Sequence, residues 1–402
     1  MLHAKRIITE QSALYNTPYP SLIKYMGSKS KIMDFVIDGI NKAYQGGTIL
    51  DLFAGSASLS GALGQQCTVH SNDIQNYSRI LAETYNSAYS TNKMPSALEL
   101  VHSAQELLCN NRLALYFDYK DISDIKDFVL LEEKQRGLIH QDFSYEWHLF
   151  AKNYSGTWWS YEQCLWIDAI RQIAEAYKKQ PFYPMILSSL IFAMAYASQG
   201  TGHYAQYRDA KTKSSLKDIS IYRKRSLADY FTRKYNELSN FIPKNKPLIK
   251  HTSSALDYKD CLTNFEGGTV YADPPYCFVH YSRFYHAIET LVLYDFPDLQ
   301  IQRGSIVKGR YRDNRHQSPF CIKSQVPMAF DNLFSGVNQS SSNLVLSYSN
   351  TGMISITDIL DIATSHFPDR KIETVSIDHK HMTLGRKQDR HRDVKECLII
   401  VK

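Results

Sequence analysis

The run Thr48-Ile49-Leu50-Asp51-Leu52-Phe53-Ala54-Gly55 decides the fold. Apolar residues ending in an acid and passing into a Gly-bearing turn read as a short buried strand feeding a tight bend. Downstream, SASLSGALGQQ (residues 56–66) suits a helix of small side chains, and CTVHSND (67–73) suits a second strand ending in the acid Asp73. A strand, small-residue turn, helix and acid-terminated strand open a nucleotide-binding α/β sheet. Such a turn aims backbone N–H groups and a helix N-terminus at a ligand, while the acid accepts from ribose hydroxyls.

Beyond Tyr77 the alternation stops. Residues 78–245 read as mostly helical, with helix-like runs at 96–108 and 161–179 and a concentration of aromatics that includes Trp147, Trp158, Trp159 and Trp166. Trp158 and Trp159 read as packing residues rather than base-stacking ones. Strand texture returns at PLIKHTSSALDY (247–258), GGTVYADPPY (267–276) and NLVLSYSN (343–350). KIETVSID (371–378) and KECLIIVK (395–402) are alternating apolar runs about a basic loop, the pattern of an antiparallel hairpin at a sheet edge. The expected organisation is an α/β core, residues 1–77 and 246–402, split by an inserted domain, residues 78–245.

With 402 residues, 44% hydrophobic and 21% charged, the chain has room for a large domain plus a second, and its composition excludes disordered and fibrous classes. No run approaches the roughly 20 apolar residues of a membrane helix, and residues 1–16 lack the apolar region of a secretory signal, so a soluble cytoplasmic protein is expected. Seven scattered cysteines without a CxxC pair support neither a disulfide framework nor a zinc site. The net charge of +6 is unevenly spread. Residues 206–225 hold seven Lys/Arg against two Asp, residues 301–315 five against one, and residues 380–395 six against Asp389 and Asp393. Convergence of these clusters on one face would make a phosphate-binding groove, against the alternative of solvated loops.

Asp273-Pro274-Pro275-Tyr276 carries the sharpest chemistry. It follows the apolar run at 269–272, which places it at the carboxyl end of a strand, where α/β proteins bind ligands. Consecutive prolines stiffen the backbone and remove two donors. The Asp273 carboxylate and Pro274 carbonyl then remain as acceptors, matching an amine that carries two N–H groups on an aromatic ring. Accepting both hydrogens frees the nitrogen lone pair for an electrophilic methyl. Tyr276 offers a flat surface, and a base stacked on an aromatic gains about 1–3 kcal/mol.

The ordered set Lys24-Tyr25-Met26-Gly27-Ser28-Lys29, Asp51-Leu52-Phe53-Ala54-Gly55-Ser56, Asp73 and Asp273-Tyr276 resembles the Dam-like, alpha-type family of DNA adenine methyltransferases. The resemblance spans most of residues 20–90 and 248–402. It implies a Rossmann-like seven-stranded methyltransferase sheet with an inserted, mostly helical target-recognition domain, and S-adenosyl-L-methionine as cofactor. Tyr25, Gly27 and Lys29 would line the cofactor's methionine end, with Lys29 near its carboxylate. Asp51, Phe53 and Gly55 would form the cofactor turn, Asp73 would hold the ribose, Ile74 would face the adenine and Asp257 would contact the adenine amine. Asp273, Pro274, Pro275 and Tyr276 would hold the target base. The family position of the DNA-reading hairpin falls on YASQGTGHYAQYR (196–208), where His203, Tyr204, Gln206 and Arg208 are candidate base contacts, with Arg310 and Arg312 from the second basic cluster. That segment lacks the Dam pattern, so a site other than GATC is expected. Ala57 stands where many members carry a second glycine.

The implied reaction is a single in-line methyl transfer to the N6 amine of an adenine flipped out of double-stranded DNA, in a restriction-modification setting. Asp rather than Ser before Pro-Pro favours adenine over the N4 amine of cytosine, and a DNA-binding module without catalysis is the remaining alternative. The chain shows no nuclease site, so any cognate restriction endonuclease would be a separate chain. The family implies a monomer.

Overall fold

Strands covered on both faces read as near-continuous apolar runs, and the centre of the sheet follows that rule. The structure is a computed structural model that describes residues 13–87, 94–111, 117–120, 122–200, 202–242, 249–382 and 391–402. The main sheet has seven strands: β1 (Ile49–Asp51), β2 (Val69–Asn72), β3 (Thr252–Ser254), β4 (Thr269–Ala272), β5 (Asn343–Ser349), β6 (Ile372–Met382) and β7 (His391–Val401). Their spatial order is β3-β2-β1-β4-β5-β7-β6. β1 to β5 run parallel, and β7 lies antiparallel between β5 and β6. The expected C-terminal hairpin is this β6–β7 pair. The polar run TSS leaves β3, an edge strand, partly exposed, whereas β1 and β4 are buried throughout. A minor ribbon pairs residues 301–302 with 305–306.

Helices α1 (Met33–Ala43) and α2 (Ser58–Leu63) cover one face of the sheet, where Ile37, Ile40 and Leu59 meet Val345, Leu398 and Ile400. Next comes α3 (Asn76–Asn86). The segment between β2 and β3 continues with α4 (Ala97–Asn111), α5 (Ile125–Arg136), α6 (Leu149–Tyr154), α7 (Tyr161–Glu175), α8 (Tyr183–Ala197), α9 (Lys213–Arg223) and α10 (Leu227–Phe241). Then follow α11 (Tyr258–Thr263), α12 (Tyr281–Phe284), α13 (His286–Leu293), α14 (Val326–Gln339) and α15 (Ile356–His366). α11, α14 and α15 fill the second face, through Phe330, Leu333 and Ile359 against Leu344, Leu346 and Ile399.

The expected boundary at 77/78 falls inside α3, and the one at 245/246 lies outside the described residues. α8 is apolar nearly all round because it is enclosed, a pattern proper to a buried helix. One apolar cluster joins Tyr77 and Leu81 of α3 to Ile186 and Leu190 of α8 and to Ile288 and Leu291 of α13. Trp158 and Trp159 are fully buried in it, as packing residues. Among the described residues no helix is long and apolar enough to cross a membrane. No group of three or more His, Cys, Asp or Glu among them is arranged to hold a metal ion.

Candidate active site

Sheet order reverses between β1 and β4: β2 and β3 follow on one side, β5 on the other. The splayed loops at such a switch point leave a crevice beyond the carboxyl ends of the strands. Here that crevice is an open cleft walled by the segment before α1 and the turns after β1, β2 and β4. All the residues expected at the cofactor and target base line it: Tyr25, Gly27, Lys29, Asp51, Phe53, Gly55, Asp73, Ile74, Asp257, Asp273, Pro274, Pro275 and Tyr276.

The turn after β1 lets the cleft wall approach closely. Gly55 has φ +52°, and a Cβ there would stand 3.0 Å from the Tyr25 ring; Gly27 has φ +78°, and its Cβ would stand 2.9 Å from the Tyr281 hydroxyl. Tyr25 stacks on two rings of the segment after the Asp273–Tyr276 turn, Tyr285 at 4.6 Å and Tyr281 at 5.4 Å. Ala57 has φ +56°, a left-handed conformation that a glycine adopts without steric cost. Ser28, Ser30, Ser56 and Ser58 join their hydroxyls at the mouth of α2, with Ser28–Ser30 at 2.7 Å and Ser56–Ser58 at 2.8 Å.

At the end of β2, Asp73 accepts from the Gly55 N–H through Oδ2 and from the Gln75 N–H through Oδ1, both at 2.9 Å. Burial raises its pKa to about 6, although these backbone bonds pull the other way. Each oxygen keeps a second lone pair for a further donor. Burial also holds Asp51 well above the usual carboxylate range, helped by repulsion from Asp273 and Asp73. Asp257 lines the cleft while its carboxylate caps α11, accepting from the Lys259 N–H at 3.0 Å.

Asp273 leaves the buried end of β4. Its Oδ1 is 3.1 Å from Lys29 Nζ, and the same ammonium is 2.8 Å from Oε1 of Glu396 on β7. Lys29, expected near a cofactor carboxylate, lines the cleft and pairs there with two carboxylates of the protein. Burial works to lower the Lys29 pKa, and attraction to Asp273 and Glu396 outweighs it. Burial raises Asp273, with Lys29 opposing and Glu396 reinforcing the shift. Lys29 also lies 5.5 Å from the centre of the Tyr276 ring, which meets Tyr348 edge-on at 6.0 Å. The Tyr276 ring and the half-buried Asp273 carboxylate thus share Lys29 as a neighbour.

The profile of the D12 class N6 adenine-specific DNA methyltransferases matches residues 25–348. This chain belongs to that class. Modification methylase LlaI of Lactococcus lactis subsp. lactis is 23% identical to this D12-class chain over 364 residues, covering 89% of it and 51% of the relative. The Type II methyltransferase M.FokI of Planomicrobium okeanokoites is 23% identical over 359 residues, 86% of this chain and 47% of its own. The Type II methyltransferase M.CviAII of Paramecium bursaria Chlorella virus 1 is 22% identical over 364 residues, with coverage of 89% and 92%. The chain therefore spans about half the length of the LlaI and M.FokI proteins and most of M.CviAII.

The residues expected to touch DNA in this D12-class chain divide in two. Gln206 and Arg208 are exposed, Arg208 in an ion pair with Asp218, and half-buried His203 stacks on Phe284 at 4.3 Å. Tyr204 is a correction: it is buried between Trp158 and Trp159, and its carbonyl accepts from His286 Nε2 at 2.9 Å. Burial pushes His286 down to about 3, so that imidazole is neutral. Arg310 is a second correction, buried and donating to the carbonyls of Asn153 and Arg136. Arg312 is turned inward as well, forked onto Asp295 at 2.7 and 2.6 Å. Nor do the basic clusters form a uniform face. Arg223 is buried in a fork with Glu132 at 2.8 and 2.7 Å, Arg225 donates to the Tyr196 carbonyl at 2.6 Å, and residues 383–390 of the third cluster lie outside the described residues.

Sequence reasoning missed Glu396, the acid inside the apolar run at the end of β7. It also missed Glu289 of α13, which accepts from the N–H groups of Asn76 and Tyr77 at the start of α3, each at 3.0 Å. For Glu396 the signal was the acid itself, an anomaly in the apolar pattern. For Glu289, inside an otherwise apolar helix, no local pattern named its partner.

Proposed function

We propose that this chain transfers a methyl group from S-adenosyl-L-methionine to the N6 amine of an adenine in double-stranded DNA. The observation that carries the reading is the convergence of the Asp273-Pro274-Pro275-Tyr276 turn and the Asp73 turn on one cleft at the sheet's switch point. D12-class membership and relatives named as modification methylases support it, and extend it to a restriction-modification setting.

The cofactor fits the residues present. Gly27 and Gly55 allow close approach, Asp73 retains acceptor capacity for ribose hydroxyls, and the serine hydroxyls supply donors. Lys29 is the only Lys or Arg among the described lining residues, against Asp51, Asp73, Asp257 and Asp273, so the cleft suits a cationic ligand. Bound there, S-adenosyl-L-methionine supplies an electrophilic methyl on a sulfonium. The chain's own groups prepare the acceptor: Asp273 and the Pro274 carbonyl accept hydrogen bonds from the two amine N–H groups, Tyr276 stacks on the base, and the single proton released on methylation passes from the nitrogen to solvent. The base must leave the duplex, which costs a few kcal/mol that these contacts offset. We further propose that residues 78–245 read the DNA sequence, with exposed Gln206 and Arg208 and the neighbouring His203 at the contact, and that the chain acts as a monomer.

Asp273→Ala tests these roles. Lys29 keeps Glu396 as its partner in the variant, so the cleft should persist. Transfer is expected to fall below detection while cofactor affinity, followed by calorimetry, stays within about threefold of wild type. Joint loss of transfer and cofactor binding would contradict the assignment of Asp273 to the acceptor base.

A further inference from the structure

The Lys29 ammonium bridges two carboxylates, half-buried Asp273 and buried Glu396, and the nearer of them is not the one in the catalytic turn. We propose that Glu396 is a positioning residue for Asp273: it holds the Lys29 ammonium on its own carboxylate, so that Asp273 stays available to accept from the target amine rather than closing into a one-to-one ion pair. The inference rests on the methyl-transfer reading above.

Glu396 is fixed for this task. It is 1% exposed, and its Oε1 accepts from Ser347 Oγ on the adjacent β5 at 2.7 Å as well as from Lys29. Strand alternation puts it on the same face as Leu398 and Ile400, which pack against α1, just beyond the turn that carries Lys29. Charge balance gives no reason for its presence, because Lys29 and Asp273 alone would be neutral. A second buried anion costs desolvation and repels Asp273. What it gains is a division of the ammonium: a lysine has three donors, and a second acceptor spreads them. The groups facing Asp273 are Lys29 from the turn before α1, Asp51 from β1, Tyr271 from β4, Tyr276 from its own turn and Glu396 from β7.

Glu396→Gln keeps the shape and an acceptor for Ser347 but releases the ammonium to Asp273. With labelled S-adenosyl-L-methionine and unmethylated genomic DNA, kcat is expected to fall about a hundredfold with the cofactor KM unchanged. The acid limb of the kcat profile should move to lower pH, because the charge that raised Asp273 is gone. A purely structural role would reduce the amount of active enzyme without moving that limb. Glu396→Asp, which keeps the charge but draws it back, should shift both quantities in the same direction by less, and serves if the glutamine variant does not fold. Wild-type kcat and pH profile in either folded variant would overturn the inference alone, as would loss of cofactor binding together with transfer. A wild-type chain that methylates no DNA would overturn the proposed function and this inference with it.

Discussion

Asp73 binds two backbone N–H groups, yet burial keeps its pKa near 6. Its effect on folding has a definite sign. The protonated form is favoured in the folded state, so its contribution to stability is full below the ordinary aspartate value of 3.8 and is lost as pH rises through about 6. Its effect on the cofactor runs the other way. Ribose hydroxyls need the ionised form, so S-adenosyl-L-methionine affinity should fall about tenfold for each pH unit below that value. Calorimetry across the acid range checks this, and Asp73→Asn should weaken binding and flatten the dependence. A wild-type affinity independent of pH would contradict the ribose assignment. Asp73 and Asp273 were legible in the sequence because each is fixed by its own strand and turn. Glu396 was not, because it meets Lys29 across 367 positions, and an acid standing out in an apolar run does not name its partner. Tyr204 and Arg310 were misplaced for a related reason: residue type and charge say what a side chain can bind, not which way the backbone turns it.

The start of α3 is capped from a distant element. None of its own side chains caps it, and Glu289 of α13 takes the Asn76 and Tyr77 N–H groups together with the Asn76 side-chain amide. That contact couples the helix after β2 to the helix after the catalytic turn. Glu289→Ala leaves those donors unpaired, and should lower stability by about 1–3 kcal/mol, measured by denaturant unfolding. An unchanged midpoint would mean that water replaces the cap without cost. At this scale the sequence showed the strands of the switch point, the small-residue helix α2 and the C-terminal hairpin, all of which follow from local periodicity. It showed neither the cap nor the stacking of Tyr25 on Tyr285, which pair residues 213 and 260 positions apart.

Across the whole molecule, one apolar cluster runs from α3 through the inserted helices to α13. The sequence suggested an insertion from the break in strand alternation, but composition could not show that the inserted helices share a core with the catalytic elements. All four tryptophans lie between residues 147 and 166, within the insertion. Tryptophan fluorescence therefore reports the segment between β2 and β3, whereas the proposed cofactor site lies in the cleft at the sheet. At a hundredfold excess over its dissociation constant the cofactor should stabilise the fold by about 2.7 kcal/mol, raising the unfolding midpoint seen by tryptophan. A cofactor that leaves that midpoint unmoved would show that the two parts unfold independently. The reaction itself is tested most directly by incubating the chain with labelled S-adenosyl-L-methionine and unmethylated genomic DNA, then analysing the nucleosides by mass spectrometry. N6-methyladenine at one recurring sequence is the expected product; N4-methylcytosine, or no methylation while cofactor and DNA both bind, would contradict it.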